Sequence, residues 1–203
     1  ANHLLAFFNG ELGAQMKKMA EDQLKVKILG PTFFGTRQVG LKPKKKITTP
    51  ADMAGIKLRM PPGDAWQLLG RSLGANPTPL PFGEVYSALQ TRLIDGAENN
   101  IRSFHSTRQF EVARHWSETR HSYSPEALLV SRQRLERMSA GDRQLLLDIA
   151  GASVPYMRTL WDEAEATSRA AVLADGVRIN AVNEQAFRDA AAPFVRGWLR
   201  DPA

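Results

Sequence analysis

The stretch Ile56-Lys57-Leu58-Arg59-Met60-Pro61-Pro62-Gly63 decides the architecture of this chain. From Ile56 to Met60 apolar and basic residues alternate with the period of a β-strand. The double proline then ends that strand, because proline has no N–H to give to a ladder. Working outward, Ala51-Asp52-Met53-Ala54-Gly55 reads as a short helical turn that feeds the strand. Downstream, Trp66, Leu68, Leu69 and Leu73 carry helical spacing, with Asp64 expected at the cap and Gly74 at the end. Asn76-Pro77-Thr78-Pro79-Leu80-Pro81 must be extended, since a residue before proline avoids the helical region. A helix from about Gly83 to Arg92 follows, then a strand at Leu93-Ile94-Asp95-Gly96-Ala97 and the polar run Glu98-Asn99-Asn100. Strand, helix, strand, helix, strand is the order of an α/β sheet.

The flanks extend this pattern. Leu12, Met16 and Met19 mark a helix near Glu11 to Asp22, and Leu24 to Leu29 alternates like a strand until Gly30-Pro31 breaks it. Phe33 to Lys46 reads as irregular and basic. A helix is expected around Thr107 to Val112, and Ala127-Leu128-Leu129-Val130-Ser131 reads as a buried strand. The longest helical pattern runs from Ala140 to about Ala174, where Pro155 is expected to kink or divide it. Val177-Arg178-Ile179 is a short strand and Asn183 to Leu199 a last amphipathic helix. There is no internal repeat.

Composition narrows the function classes. The chain of 203 residues is 43% hydrophobic and 24% charged, an ordinary globular balance able to bury a core. No apolar run approaches the roughly 20 residues a membrane-spanning helix needs, so no direct membrane insertion is expected. The net charge of +6 invites a nucleic-acid reading. Its one dense run, Lys42-Pro43-Lys44-Lys45-Lys46, lies between Gly40 and Thr48-Thr49-Pro50 and reads as a solvated loop, and the arginines are scattered. No nucleic-acid partner is expected. With no cysteine there are no disulfides, thiolate zinc sites or cysteine nucleophiles. Ala1 to Phe8 lacks the basic start and small-residue cleavage site of a signal peptide, so an exported form would carry its signal outside this sequence.

Catalytic chemistry finds little support. His3, His105, His115 and His121 form no i, i+4 metal pair, and His121 reads as a surface or hinge histidine. Nucleotide phosphate loops are absent, and neither a cofactor nor a metal is expected. Glu84, Asp95, Glu98 and Glu126 are candidate carboxylates, with Glu84 accounted for by the start of its helix. Arg59 is different. It ends a buried strand of an α/β pattern, where ligands bind. Its planar fork matches a carboxylate with two parallel bonds. Asn99, near another strand end, adds an amide that both donates and accepts.

Residues 73 to 100 resemble the DctP-type solute-binding proteins of TRAP transporters (tripartite ATP-independent periplasmic transporters). So do Asp52-Met53-Ala54-Gly55-Ile56-Lys57-Leu58-Arg59, Gly35-Thr36-Arg37-Gln38, His121-Ser122-Tyr123-Ser124-Pro125 and Leu129-Val130-Ser131. The resemblance implies two α/β lobes with a long connecting helix. The chain starts well inside the family pattern, with the first lobe incomplete. Residues 1–30 and 124–160 would be the remnant of that lobe and the hinge, and 31–123 with 161–203 the lobe that carries the carboxylate-binding arginine. The family's arginine falls on Arg59, a second cleft arginine on Arg37, the aromatic that packs on the ligand on Phe82, and the amide beside the acid on Asn99. Glu126 occupies a polar position where it would accept from sugar hydroxyls. Two alternatives stay open, with Phe82 in the core and Arg37 paired to Glu98 or Glu126. The implied function is a periplasmic receptor without catalytic residues that delivers a small carboxylate to membrane permease subunits. Pro62 argues against sialic acid, and Glu98-Asn99-Asn100 with Glu126 favours a sugar acid such as a uronate. The competing readings are an acid–base hydrolase using Glu98 or Glu126, and a truncated fragment that binds nothing.

Overall fold

The computed structural model describes residues 2–43 and 45–200. In chain order the elements are α1 (Asn2–Asn9), α2 (Glu11–Leu24), β1 (Val26–Leu41), β2 (Lys57–Met60), α3 (Asp64–Ser72), β3 (Asn76–Pro79), α4 (Val85–Thr91) and β4 (Gly96–Asn99). There follow α5 (Ile101–Ser106), β5 (His115–Ser131), α6 (Arg132–Glu136), α7 (Ala140–Ala174), β6 (Arg178–Ala181) and α8 (Glu184–Arg200). The chain divides into two compact units, residues 1–34 with 124–164 and residues 35–123 with 165–203. The divisions fall within β1, near the middle of β5 and within α7.

In the second unit, the strands of the described residues form a mixed sheet in the order β3-β2-β4-β1-β5-β6. β2 pairs in parallel with both β3 and β4, while β1 runs antiparallel to β4. The sheet has two apolar faces. On one, Ala97 and Trp116 pack with Val85, Leu89, Phe104 and Val172 from α4, α5 and the end of α7. On the other, Val39, Leu41, Leu58 and Met60 pack with Leu73 and Phe187, and with Trp66 and Leu69. Because side chains alternate along a strand, register assigns every sheet residue to one face. Before β2, Asp52 accepts from the backbone N–H and hydroxyl of Thr48 and from the backbone N–H of Thr49 (2.8, 2.7 and 2.9 Å), which pulls its carboxyl down to about 2.

In the first unit, α1 turns onto α2 through a close approach at Gly13, and Gly30 of β1 lies against Val154 of α7. Phe34 and Trp161 stack at 4.9 Å between centroids. Leu128, Leu129, Leu145, Ile149, Tyr156 and Leu160 are exposed in this unit.

Several expectations are corrected. β1 continues through Gly30-Pro31 to Leu41, so Phe33 to Leu41 is strand and not irregular. Proline's φ suits extended backbone, and the residue breaks a ladder only where its N–H is needed. Gly63, at φ +120, occupies the cap position of α3, and Asp64 sits in the first turn instead. The third strand lies at Gly96–Asn99, because α4 closes on Arg92 at φ +63 and the Leu93 N–H caps it through the Ala88 carbonyl. The helix expected at 107–112 is α5 followed by a short 3-10 turn, Gln109–Glu111. Ala127, Leu128 and Leu129 do lie in a strand, yet they are exposed. α7 passes Pro155 without division. Pro155 and Gly151, whose carbonyl loses its i+4 donor there, are both exposed, so solvent can satisfy the freed oxygen.

Gly96 tests the sheet. A Cβ there would sit 2.4 Å from a Leu41 methyl and 2.6 Å from the Gly40 carbonyl oxygen, which is backbone and cannot swing away. Gly96→Ala should destabilise the protein by about 1–3 kcal/mol, read as a lowered urea midpoint with an unchanged m-value.

Candidate functional site

The three parallel strands β2, β3 and β4 end at Met60, Pro79 and Asn99, on one edge of the sheet. From β2 the chain crosses to β3 on one side, and from β4 it continues toward β5 on the other, so the carboxyl ends of β2 and β4 flank a point where the connections diverge. Such points form crevices in open α/β sheets. β1, antiparallel to β4, begins its paired stretch at the same edge, with Gln38 opposite Asn99.

Register separates the two candidate arginines. Arg59 pairs with Ala97 and therefore shares a face with Asn99 and, through it, with Gln38. Arg37 lies two residues before Val39, whose partner is Glu98, so Arg37 and Glu98 occupy the opposite face. Side-chain contacts agree. The Arg59 guanidinium carbon lies 5.8 Å from the centroid of the Phe82 ring, and that of Arg37 lies 4.9 Å from the Trp66 ring.

On its face Arg37 is neutralised. Its Nε donates to Glu98 Oε2 at 2.5 Å and its Nη2 to Glu98 Oε1 at 2.6 Å and the Glu98 carbonyl at 3.2 Å. His121 Nε2 lies 3.3 Å from Glu98 Oε2, and its Nδ1 lies 2.7 Å from the Thr119 hydroxyl. Glu98 is completely buried. Burial, the largest influence, pushes its carboxyl up, but the hydrogen bonds from Arg37 and His121 and the Arg37 charge together outweigh it and hold the group below the ordinary range. His121, expected at a surface or hinge, has a side chain only 2% exposed.

Arg59 is arranged differently. It is 3% exposed, and its Nε donates to the Leu80 carbonyl at 2.8 Å, which fixes the guanidinium plane. Among the described residues no acceptor engages its two Nη groups and no carboxylate pairs with it. Burial lowers its pKa, the Glu98 charge opposes that, and the Arg37 charge adds to it. Asn99 Oδ1 accepts from the Asn100 backbone N–H at 2.9 Å and from its amide at 3.2 Å, which assigns the amide orientation and leaves Nδ2 as a donor. Phe82 is 44% exposed, so the alternative that placed it in the core is excluded.

Arg37, Arg59, Phe82 and Asn99 therefore lie in the second unit, at one sheet edge. Glu126 lies in the first unit, exposed on β5. Of the two partners that sequence left open for Arg37, Glu98 and Glu126, it takes Glu98, whereas His121 was not proposed as a site residue. Choosing between the two carboxylates needs the strand register, which sets Glu98 opposite Val39. A hydrolytic acid–base pair loses its basis here. Glu98 is held ionised by an arginine, the reverse of what a general acid requires.

Among the described residues, the carboxyl ends of these strands thus present an arginine without a carboxylate partner, at the place where open α/β sheets bind ligands. The chain belongs to the bacterial extracellular solute-binding proteins, family 7 (DctP), which it matches over residues 1–201. It is 34% identical to a solute-binding protein of Chromohalobacter salexigens, over 95% of this chain and 57% of that protein. It is 31% identical to the 2,3-diketo-L-gulonate-binding periplasmic protein of Escherichia coli, over 96% of this chain and 59% of that one. Among solved structures, a TRAP periplasmic solute-binding protein of Chromohalobacter salexigens with bound D-glucuronate superposes with a TM-score of 0.93 at 32% identity, covering 99% of this chain and 67% of that one. One from Roseobacter denitrificans with bound 3-deoxy-D-manno-oct-2-ulosonic acid gives 0.92 at 34% identity, covering 97% and 66%. This chain thus spans under three fifths of the length of these two curated relatives and about two thirds of the solved chains.

The Glu98 pair carries a stability prediction. A carboxyl held below its ordinary value contributes stability that is fully present above the unfolded value and is lost as pH falls through the folded one. Wild-type stability should therefore decline as pH drops below about 4.3. Glu98→Gln should lack this part of the decline and, with a buried Arg37 left uncompensated, lose on the order of 3 kcal/mol at pH 7 in urea unfolding.

Proposed function

We propose that this chain is part of a TRAP-transporter receptor that captures a small organic acid, a uronate or related sugar acid in preference to a plain dicarboxylate. One observation carries the reading. Arg59 is buried, with its guanidinium plane set by Leu80 and no acceptor on either Nη group among the described residues, while Arg37 on the other face is already neutralised. A buried cation without an anion is costly, and a bidentate carboxylate removes that cost while forming two charge-assisted bonds.

In this reading residues 35–123 and 165–203 are the lobe that grips the acid, and the first unit belongs to the other lobe. Phe82 covers the body of the ligand, and Asn99 Nδ2 donates beside the acid group. Arg37 acts through Glu98, by holding the edge rigid. The uronate preference rests on solved relatives with bound D-glucuronate and galacturonate. The receptor acts in the periplasm, as the diketogulonate-binding relative does, performs no catalysis, needs no cofactor and passes its ligand to membrane permease subunits.

Isothermal titration with D-glucuronate tests the assignment. Arg59→Ala should weaken binding by about 3 kcal/mol, roughly a hundredfold. Arg59→Lys should recover only a small part of this, since an ammonium cannot form the planar two-bond contact. Equal binding by wild type and Arg59→Ala would remove Arg59 from the site. Arg59→Met should melt no lower than wild type without ligand and lose the thermal shift that the acid produces, because it removes an uncompensated buried charge.

A further inference from the structure

The face of the sheet that carries Arg59 and Asn99 continues into a polar chamber of about 340 Å³, lined by Gln38 with Glu118, Arg120, Tyr123 and Arg169 among its walls. Gln38 is the Cα partner of Asn99, so the chamber opens one strand away from the amide proposed to sit beside the acid. Gln38 is nine-tenths buried, and its orientation is assigned by a hydrogen bond. Arg120, in the left-handed region at φ +44, turns its backbone N–H onto Gln38 Oε1 at 2.7 Å. The oxygen is thereby identified, and Nε2 becomes the donor on the other side. Among the described residues no acceptor engages Nε2. Nearby, Arg169 takes Oε1 of Glu118, and Oε2 has no hydrogen-bond partner among the described residues.

We propose that Gln38 is a specificity-determining residue that reads a hydroxyl group of the bound acid, with Glu118 as the acceptor for that hydroxyl's proton. A hydroxyl both accepts and donates, and this wall offers an immobilised amide donor at Gln38 and a carboxylate acceptor at Glu118, with Glu165 also lining the chamber. The ligand class is then a polyhydroxy acid, anchored by its carboxylate at Arg59 and extending across β4 and β1 toward the chamber. Strands lie about 4.8 Å apart, so the path from β2 to β1 is close to 10 Å, the reach of a sugar acid with its hydroxyls. An acid without hydroxyls would leave Gln38 Nε2 and Glu118 Oε2 desolvated and unpaired, which is how such sites reject analogues. This inference rests on the reading of Arg59 as the carboxylate anchor.

The test compares D-glucuronate with cyclohexanecarboxylate, which keeps the ring and the acid but has no hydroxyl, on the full 203-residue chain by titration calorimetry. Wild type should prefer glucuronate. Gln38→Met should reduce that preference about tenfold or more, with the affinity for cyclohexanecarboxylate little changed. Gln38→Glu keeps an acceptor for the Arg120 N–H and replaces the donor by a carboxylate oxygen, whose charge acts on both acids alike, so it should lose the preference while retaining the wild-type circular dichroism. In wild type, the Gln38 side-chain amide resonance should shift with glucuronate and stay in place with cyclohexanecarboxylate. An unchanged preference in both variants, or a Gln38 amide that ignores glucuronate, overturns the role of Gln38. Arg59→Ala separates the two ideas. Loss of both acids in that variant with an unchanged preference in the Gln38 variants would overturn the Gln38 role alone. Undiminished binding in Arg59→Ala, or binding of neither acid by wild type, would overturn the carboxylate anchor and this inference with it.

Discussion

Two guanidinium groups share one edge of the sheet, and one carboxylate is buried between the elements that hold them. This imbalance is the constraint on which the rest of the site depends. In a medium of reduced dielectric, each buried cation needs an anion nearby or must shed its charge, and arginine does not shed its charge at neutral pH. Glu98 satisfies Arg37 with both carboxylate oxygens and its own carbonyl, and His121 and Thr119 complete that cluster. Arg59 feels the Glu98 charge only through the sheet and the Arg37 charge against it. Among the described residues the edge is thus one anion short.

The sheet separates these tasks by its pleat. One face carries the closed ion pair over Trp66, and the other carries Arg59, Asn99 and Gln38 with donors still to be matched. A register shift of one residue in β4 would exchange Glu98 and Asn99 between faces and place a carboxylate where an amide now stands. Gly96 guards that register, since any side chain there would strike Leu41 and the Gly40 carbonyl. The core on each face therefore does more than stabilise the sheet. It determines which polar groups stand on each face.

The relatives are longer chains. This chain covers nearly its full length in the superpositions but only about two thirds of each solved relative. The first unit carries many of the exposed large apolar side chains, including Leu128, Leu129 and Ile149, although its sequence reads at Ala127 to Ser131 as a buried strand. Periodicity identifies the face that an element offers. It does not say what covers that face.

Residue order by itself determined the α/β class, the strand that carries Arg59, the extended prolines after α3 and the long helix. Each depends on local periodicity or on the backbone limits of proline and glycine. Sequence also made Arg59 a candidate, from its chemistry and its place at a strand end. Only tertiary structure decided that Arg37 belongs to Glu98 and that Phe82 stands in the open. It also decided that His121 is buried, and that Gln38 lies beside Asn99. These facts depend on register and on which strands become neighbours, and they join residues as far apart in the chain as Gln38 and Arg120. No window of sequence contains that information, because hydrogen bonds between strands are set by the packing of both faces at once.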